Sequence, residues 1–210
     1  DARHYLNKNK LIIMKLIKKI SLSPDAFKGQ LFSDPNRNGE YKFLNKFCSI
    51  TDNLLIFDVG ANIGEYSEKI LSINPNICIH CFEPVKSTFD KLTKKLGNNS
   101  NITLQNFAFG EDTMSAKIFI YGEEAGINSF YFNEKYVSDN NDFHTEIIQI
   151  KRLDDYIKEK NILNIDFLKI DVEGHELSIL KGAQNSIDKG IIKLIQFEYN
   201  DYWRKSNAKL

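Results

Sequence analysis

Asp58, Gly60, Asn62 and Gly64 are crowded into one junction of the chain, in the stretch LLIFDVGANIGEYSEKIL at residues 54–71. An apolar block ends there and a helical pattern begins. Gly60 can turn sharply and leaves room for a ligand against bare backbone. Gly64 lets the following helix approach, and the free N–H groups at a helix start face a carboxylate or a phosphate. The spacing departs from G-x-G-x-x-G, the dinucleotide fingerprint. An acid two residues before the first glycine is also unfavourable beside a pyrophosphate. It suits a ligand that carries an ammonium and a cationic sulfonium, which is S-adenosylmethionine (SAM). Ala61, Tyr66 and Ser67 belong with Asp58, Gly60, Asn62 and Gly64 on this expected cofactor surface.

Further junctions continue the theme. The next apolar segment ends in Phe82-Glu83-Pro84, nineteen residues past Gly64, a distance that one intervening helix fills. A carboxylate at such a tip offers two oxygens to the paired hydroxyls of a ribose, and Pro84 is assigned to the same surface. A third tip carries Asn106, Phe107 and Ala108, a polar side chain and adjacent backbone N–H suited to an adenine edge. The fourth reads Asp171-Val172-Glu173-Gly174-His175-Glu176. Asp171 is expected to meet the cofactor and to support the chemistry. His175 is expected to titrate near neutrality, and it is the first choice of base for an acceptor hydroxyl. Two readings stay open: Asp171 and His175 serve the reaction, or they cap the helix that follows. Glu198, at the tip of a fifth segment, is a further catalytic carboxylate. Alternatively Asp171, Glu198 and His175 hold a divalent cation that acidifies the hydroxyl, although no dense ligand pattern supports a metal. Asn128 and Ser129, in GINSFYFNEKY at 126–136, bring amides and aromatic faces to the pocket mouth, where Glu173 joins them as a substrate contact.

The elements that must position these tips alternate. LLIFDV is a continuous apolar strand, GEYSEKILSI a helix, ICIHCFE a strand, VKSTFDKLTKKL a helix and ITLQNFAF a third strand. Such alternation with short links implies βαβ units and a parallel sheet, and right-handed crossovers place helices on both of its faces. Ligands then gather at the carboxyl ends of the strands beside the first one. AKIFIYG, NSFYF and TEIIQIK change to strict alternation and read as an antiparallel insertion. LDDYIKEKNI returns to helix, IDFLKIDVEG to a fourth parallel strand, HELSILKGAQNSI to its helix and IIKLIQFEY to a fifth strand. Upstream, KNKLIIMKLIKKI at 8–20 carries five lysines and no acid, with Ile13, Leu16, Ile17 and Ile20 on one helical face. It reads as a helix packed on the domain in preference to one lying on a membrane surface. EYKFLNKFCSI is a short helix whose start, Glu40 and Tyr41, is expected to close over the methionine end of the cofactor.

Composition narrows the classes. The 210 residues fit one domain, and Lys+Arg and Asp+Glu both number 28, which argues against a broad nucleic-acid footprint. No apolar run reaches the length of a membrane span. Three cysteines, an odd and small number, fit a reducing, cytoplasmic setting. Cys78 and Cys81 lie three apart on a strand and so point to opposite faces, which speaks against a metal knuckle. Position 1 is Asp, so the chain is read as a piece of a longer product.

The segments FDVGANIGEYS, FEP, NFAFG, NSF, KRLDDYI, IDFLKIDVEGHELSILKGA and IQFEY, in this order over about residues 54–199, resemble the FkbM-type family of SAM-dependent methyltransferases. The resemblance implies a class I SAM-dependent methyltransferase fold, a doubly wound and mostly parallel Rossmann-like sheet. It implies SAM as cofactor and methyl transfer to a hydroxyl of a sugar, glycan or small natural product; the neutral charge, not the resemblance, speaks against a nucleic-acid partner. A metal-dependent small-molecule O-methyltransferase and a non-catalytic SAM-binding domain are the alternatives. On this reading residues 1–50 are an N-terminal helical segment and cofactor lid, and 51–210 are the SAM-binding domain. One departure stands out: only NDYWRKSNAKL follows Tyr199, where the fold continues with a helix and an antiparallel strand pair.

Overall fold

The computed structural model describes residues 35, 39–49, 53–121, 128–130 and 143–197. The expectations for residues 8–20, for Glu198, for most of 126–136 and for the tail after Tyr199 fall outside them.

Five parallel strands form the central sheet: β1 (Leu55–Val59), β2 (Cys78–Phe82), β3 (Ile102–Gln105), β7 (Phe167–Ile170) and β8 (Ile195–Phe197). Their spatial order is β3-β2-β1-β7-β8, so the chain reverses direction of travel at β1. That reversal puts the carboxyl ends of β1 and β7 side by side, the switch point where open α/β sheets bind ligands. Helices α1 (Glu40–Cys48), α2 (Glu65–Ile73), α3 (Lys86–Leu96), α4 (Leu153–Glu159), α5 (Glu176–Gly182) and α6 (Gln184–Asp188) cover the two faces. This is the doubly wound parallel sheet that the alternation of strand and helix predicts.

Strand alternation divides the core. Phe57 and Val59 of β1, Phe82 of β2 and Leu168 and Ile170 of β7 face one apolar cluster with Tyr156 and Ile179. Ile56, Ile79, Cys81 and Phe167 face the other, with Ile70, Leu92 and the α1 residues Leu44 and Cys48. Phe43 and Phe47 of α1 both pack on Phe167, with ring centroids 5.4 and 5.5 Å away. Those contacts lay α1 on this face near the amino end of β7, with its first residues, Glu40 and Tyr41, reaching the cleft.

The insertion is a second sheet, β4 (Ala108–Phe109), β6 (His144–Lys151) and β5 (Met114–Ile120), ordered β4-β6-β5. β5 and β6 are antiparallel, in line with the sequence reading, while β4 joins β6 in parallel. Three boundaries differ from the sequence reading. ITLQNFAF divides into β3 and β4, and β4 leaves the main sheet to pair with β6. HELSILKGAQNSI breaks at Ala183, where Asp154 takes over the start of α6 by accepting hydrogen bonds from the Asn185 and Ser186 N–H groups at 3.0 and 2.9 Å. β7 stops at Ile170, because Glu173 and Gly174 take φ values of 52° and 101° and turn the chain. Of NSFYF, the described residues show Ser129 bridged to Phe119 in antiparallel fashion. Among the described residues no helix is long and apolar enough to cross a membrane.

Candidate active site

The carboxyl ends of the strands open onto a cleft of about 350 Å³, within the range of small-molecule sites. Its floor is the turn after β1. Gly60 and Ala61 both donate N–H to the Phe82 carbonyl at 3.0 Å, which folds the turn against β2. Gly60 has φ +79°, and a Cβ there would stand 1.9 Å from the Asp171 carbonyl oxygen. Its glycine is therefore needed for the turns after β1 and β7 to meet. Gly64, at φ +87°, admits a helix as expected, but the helix is α3: Leu92 and Leu96 methyls would lie 2.7 Å from a Cβ at this position.

Beneath this turn runs a row of polar residues set by strand register. Asp58 pairs with Cys81 on one side and Lys169 on the other. The Asp58 carboxylate is fully buried; it accepts from the Ser67 hydroxyl at 2.7 Å and lies 3.2 Å from the Lys169 ammonium. Ser67 in turn touches the Cys81 sulfur at 3.2 Å. Asp58 and Ser67 thus stand behind the cleft wall. Lys169 reaches the wall itself, where its ammonium also lies 3.4 Å from Asp171 and donates to the Gly60 carbonyl at 3.4 Å. Burial works against the lysine's charge, yet Asp58 and Asp171 outweigh it and hold Lys169 protonated beyond the ordinary lysine range. The Asp171 side chain is 44% exposed, in contrast to Asp58.

At the β2 tip, Glu83 faces the cleft with 7% of its surface exposed. Its two oxygens accept from Asn62 N–H at 3.1 Å and Val85 N–H at 2.9 Å. Burial pushes its pKa up to about 7 even though those N–H groups pull it down. Pro84, Phe107 and Ala108 line the cleft beside it. Asn106 does not: it is exposed, and its amide donates to the Glu83 and Pro84 carbonyls at 2.9 and 3.0 Å. Asn106 therefore shapes the tip from outside, while Phe107 supplies a ring face within.

The turn after β7 brings Asp171, Glu173 and His175 to the cleft. His175 starts α5, and its ring lies 4.3 Å from that of Phe130. Both ring nitrogens are buried with no hydrogen-bond partner among the described residues. Burial lowers its pKa to about 4, a correction to the expected titration near neutrality. Two buried groups brace this turn. Glu176, fully buried, accepts from Val172 and Gly174 N–H at 3.3 and 3.2 Å. The Ser129 hydroxyl donates to the Glu173 carbonyl at 2.9 Å, so Ser129 supports the wall from behind. Asn128 lines the cleft and accepts from Tyr121 N–H at 3.3 Å. Glu198 lies outside the described residues. Among the described residues, no group of three or more His, Cys, Asp or Glu is placed to hold a metal ion.

The last wall is α1. Glu40, Tyr41 and Tyr66 line the cleft. Gln196 ties two of them together, donating to the Glu40 carboxylate at 2.5 Å and accepting from the Tyr66 hydroxyl at 3.3 Å. Lys169, Glu176 and Gln196 were not among the sequence candidates. Lys169 alone left a signal, as the single charge inside the buried strand FLKI, where a lysine must find partners.

The donor set fits SAM. A carboxylate has about four acceptor positions, so Glu83 keeps capacity for ribose hydroxyls beyond the two N–H groups it holds. Asp171 presents an exposed carboxylate to a cation, and Phe107 an apolar face to a base. Known proteins agree. The chain is 26% identical to "Methyltransferase 1" of Beauveria bassiana over 209 residues, covering 86% of this chain and 83% of that protein. It is 29% identical to the "Hexuronic acid methyltransferase AglP" of Haloferax volcanii, covering 63% of this chain and about half, 51%, of the relative. It is 22% identical to the "2-O-methyltransferase NoeI" of Sinorhizobium fredii, covering 70% and 63%. The family model described as "Methyltransferase FkbM domain" matches residues 58–208. That match starts at the buried aspartate under the glycine turn and takes in every strand tip around the cleft, and the chain belongs to the FkbM family of SAM-dependent methyltransferases.

Proposed function

We propose that this methyltransferase acts on oxygen, at a hydroxyl of a sugar, glycan or small natural product, with His175 as the proton acceptor. The observation that carries the reading is the imidazole on the cleft wall, both of whose buried nitrogens lack a partner among the described residues, with burial lowering its pKa to about 4. The cofactor supplies a methyl group already activated on a sulfonium, so placement of the acceptor carries much of the acceleration. An alcohol must still lose its proton, and a positioned base contributes typically 10²–10⁴-fold. His175 needs no prior deprotonation to serve. Its low pKa makes it a modest base, which suits a proton that leaves as the methyl arrives. Glu83 takes the ribose, Gly60, Ala61 and Asn62 approach the methionine moiety, and Phe107 and Ala108 flank the adenine. Asp171 meets the ammonium, while Asn128 and Glu173 face the acceptor. The printed names of two relatives, one for hexuronic acid and one for 2-O transfer, support a sugar-like acceptor and an oxygen nucleophile. Residues 1–50 contribute the lid through Glu40 and Tyr41.

The test is labelled SAM against a panel of glycans, nucleotide sugars and small alcohols. On an acceptor so found, His175→Ala should fold, keep SAM affinity and lose at least about tenfold in turnover. The loss should shrink at high pH, where hydroxide or an ionised acceptor replaces the base. Wild-type turnover by this variant across about pH 6 to 9 would remove the base and leave positioning alone. A folded chain lacking residues 1–45 that bound SAM as tightly as the full chain would reject the lid.

A further inference from the structure

A buried lysine beside a site for a cationic ligand calls for an explanation. Lys169 is 7% exposed and faces three acceptors: Asp58 at 3.2 Å, Asp171 at 3.4 Å and the Gly60 carbonyl at 3.4 Å. Two carboxylates already face its single positive charge, so the ammonium is matched within the protein before any carboxylate of a bound cofactor arrives. The Tyr66 ring, 5.0 Å from the ammonium, covers it further. Register fixes the arrangement, since Asp58 and Lys169 are direct neighbours on β1 and β7. Asp171, two residues on, shares the lysine's side of the chain. The three charges sum to one negative charge. It emerges at Asp171, 44% exposed, and not at Asp58, which is fully buried.

We propose that Lys169 is a positioning residue that selects which carboxylate meets the cofactor's ammonium, withdrawing Asp58 from the ligand set and presenting Asp171 in a fixed place. The inference rests on SAM as the cofactor and is independent of the acceptor and of His175.

Removing the lysine alone leaves Asp58 buried and unpaired, which threatens folding. The test therefore combines Lys169→Met with Asp58→Asn. The amide still accepts from Ser67, and the group keeps its net charge of minus one, so any change in binding reports placement and not charge. Calorimetry on the full chain would use two probes: S-adenosylhomocysteine, and 5′-methylthioadenosine, which keeps the adenosine and thioether but lacks both charged groups. The double variant should bind S-adenosylhomocysteine at least about tenfold more weakly and methylthioadenosine within about twofold of wild type. Asp171→Asn alone should show the same split, and adding it to the double variant should change little, because the residues act as one unit. Equal losses for both probes would mean that Lys169 only shapes the Gly60 turn, and unchanged S-adenosylhomocysteine affinity would remove its role; either overturns the proposal. A wild-type chain that bound neither probe would instead overturn the cofactor placement beneath it.

Discussion

Burial sets the proton state of Glu83 and His175 in this cleft, whereas at Lys169 the neighbouring carboxylates outweigh it. Glu83 is the clearest case: desolvation lifts its pKa to about 7 against two backbone N–H groups that favour the anion. Ribose hydroxyls would add donors to the same carboxylate and pull its pKa back down. SAM affinity should therefore rise with pH through about 7, and binding near neutrality should release a fraction of a proton. Calorimetry in buffers of different ionisation enthalpy reads that release directly; affinity and proton uptake flat from about pH 6 to 8 would contradict it. Glu83→Ala should weaken SAM binding by about 1.5–3 kcal/mol, the range for hydrogen bonds to a charged group. Glu83 was legible as a candidate only in company, since a lone acid at a strand end is usually just solvated and the signal came from three strand tips in order. Glu176 was not, because an acid at a helix start is ordinary, and only the fold shows it turned back onto Val172 and Gly174.

Between elements, the two glycines of the first turn make different demands. A side chain at Gly60 meets backbone, the Asp171 carbonyl, whereas one at Gly64 meets the ends of Leu92 and Leu96. Both positions have positive φ, which costs a non-glycine residue roughly 1–2 kcal/mol. Leucine tips can move aside, but a carbonyl fixed at the end of a strand cannot. Gly64→Ala should lose stability by about that amount and keep SAM affinity. Gly60→Ala should separate the turns after β1 and β7 and lose at least about tenfold in SAM affinity. Denaturant unfolding and calorimetry on both variants test the contrast, and equal effects on affinity would refute it. The elements themselves followed from periodicity. Their ends did not, because β4 is drawn to β6 by pairing that lies more than forty residues away.

For the whole molecule, buried titratable groups pull stability in opposite directions with pH. His80 and His175 fall to about 4 from an ordinary 6.5, both chiefly by desolvation. Between those values the unfolded chain binds more protons, so their contribution to stability is lost as pH falls through about 4. Glu83 and Glu176 rise to about 7 from 4.5, again chiefly by desolvation. Between those values the folded chain binds more protons, so their contribution is lost as pH rises from 4.5 through about 7. Glu176→Gln removes one of the two glutamates whose contribution falls as pH rises. Relative to wild type, the variant should gain stability as pH rises from about 5 to 7. Unfolding in urea at several pH values checks this, and parallel curves for the two proteins would refute it.

The sequence by itself determined the alternation of strand and helix, the parallel sheet, the antiparallel β5–β6 pair and the polar residues and glycines that gather at the strand tips. Those features are local: period-two and period-3.6 patterns and glycines at turns act within a few residues. It also determined the family, since the motifs stand in order along the chain. Only the tertiary structure decided which acids are buried and paired and which reach the cleft. Asp58 looked like the ammonium's partner until strand register set it against Lys169, 111 residues later, and buried the pair. His175 looked poised near neutrality until packing against Phe130 and the cleft wall dried its ring. Asn106 and Ser129 looked like ligand contacts until their donors found backbone carbonyls. Partner choice and desolvation depend on neighbours brought together from distant parts of the chain, and no spacing along one strand encodes them.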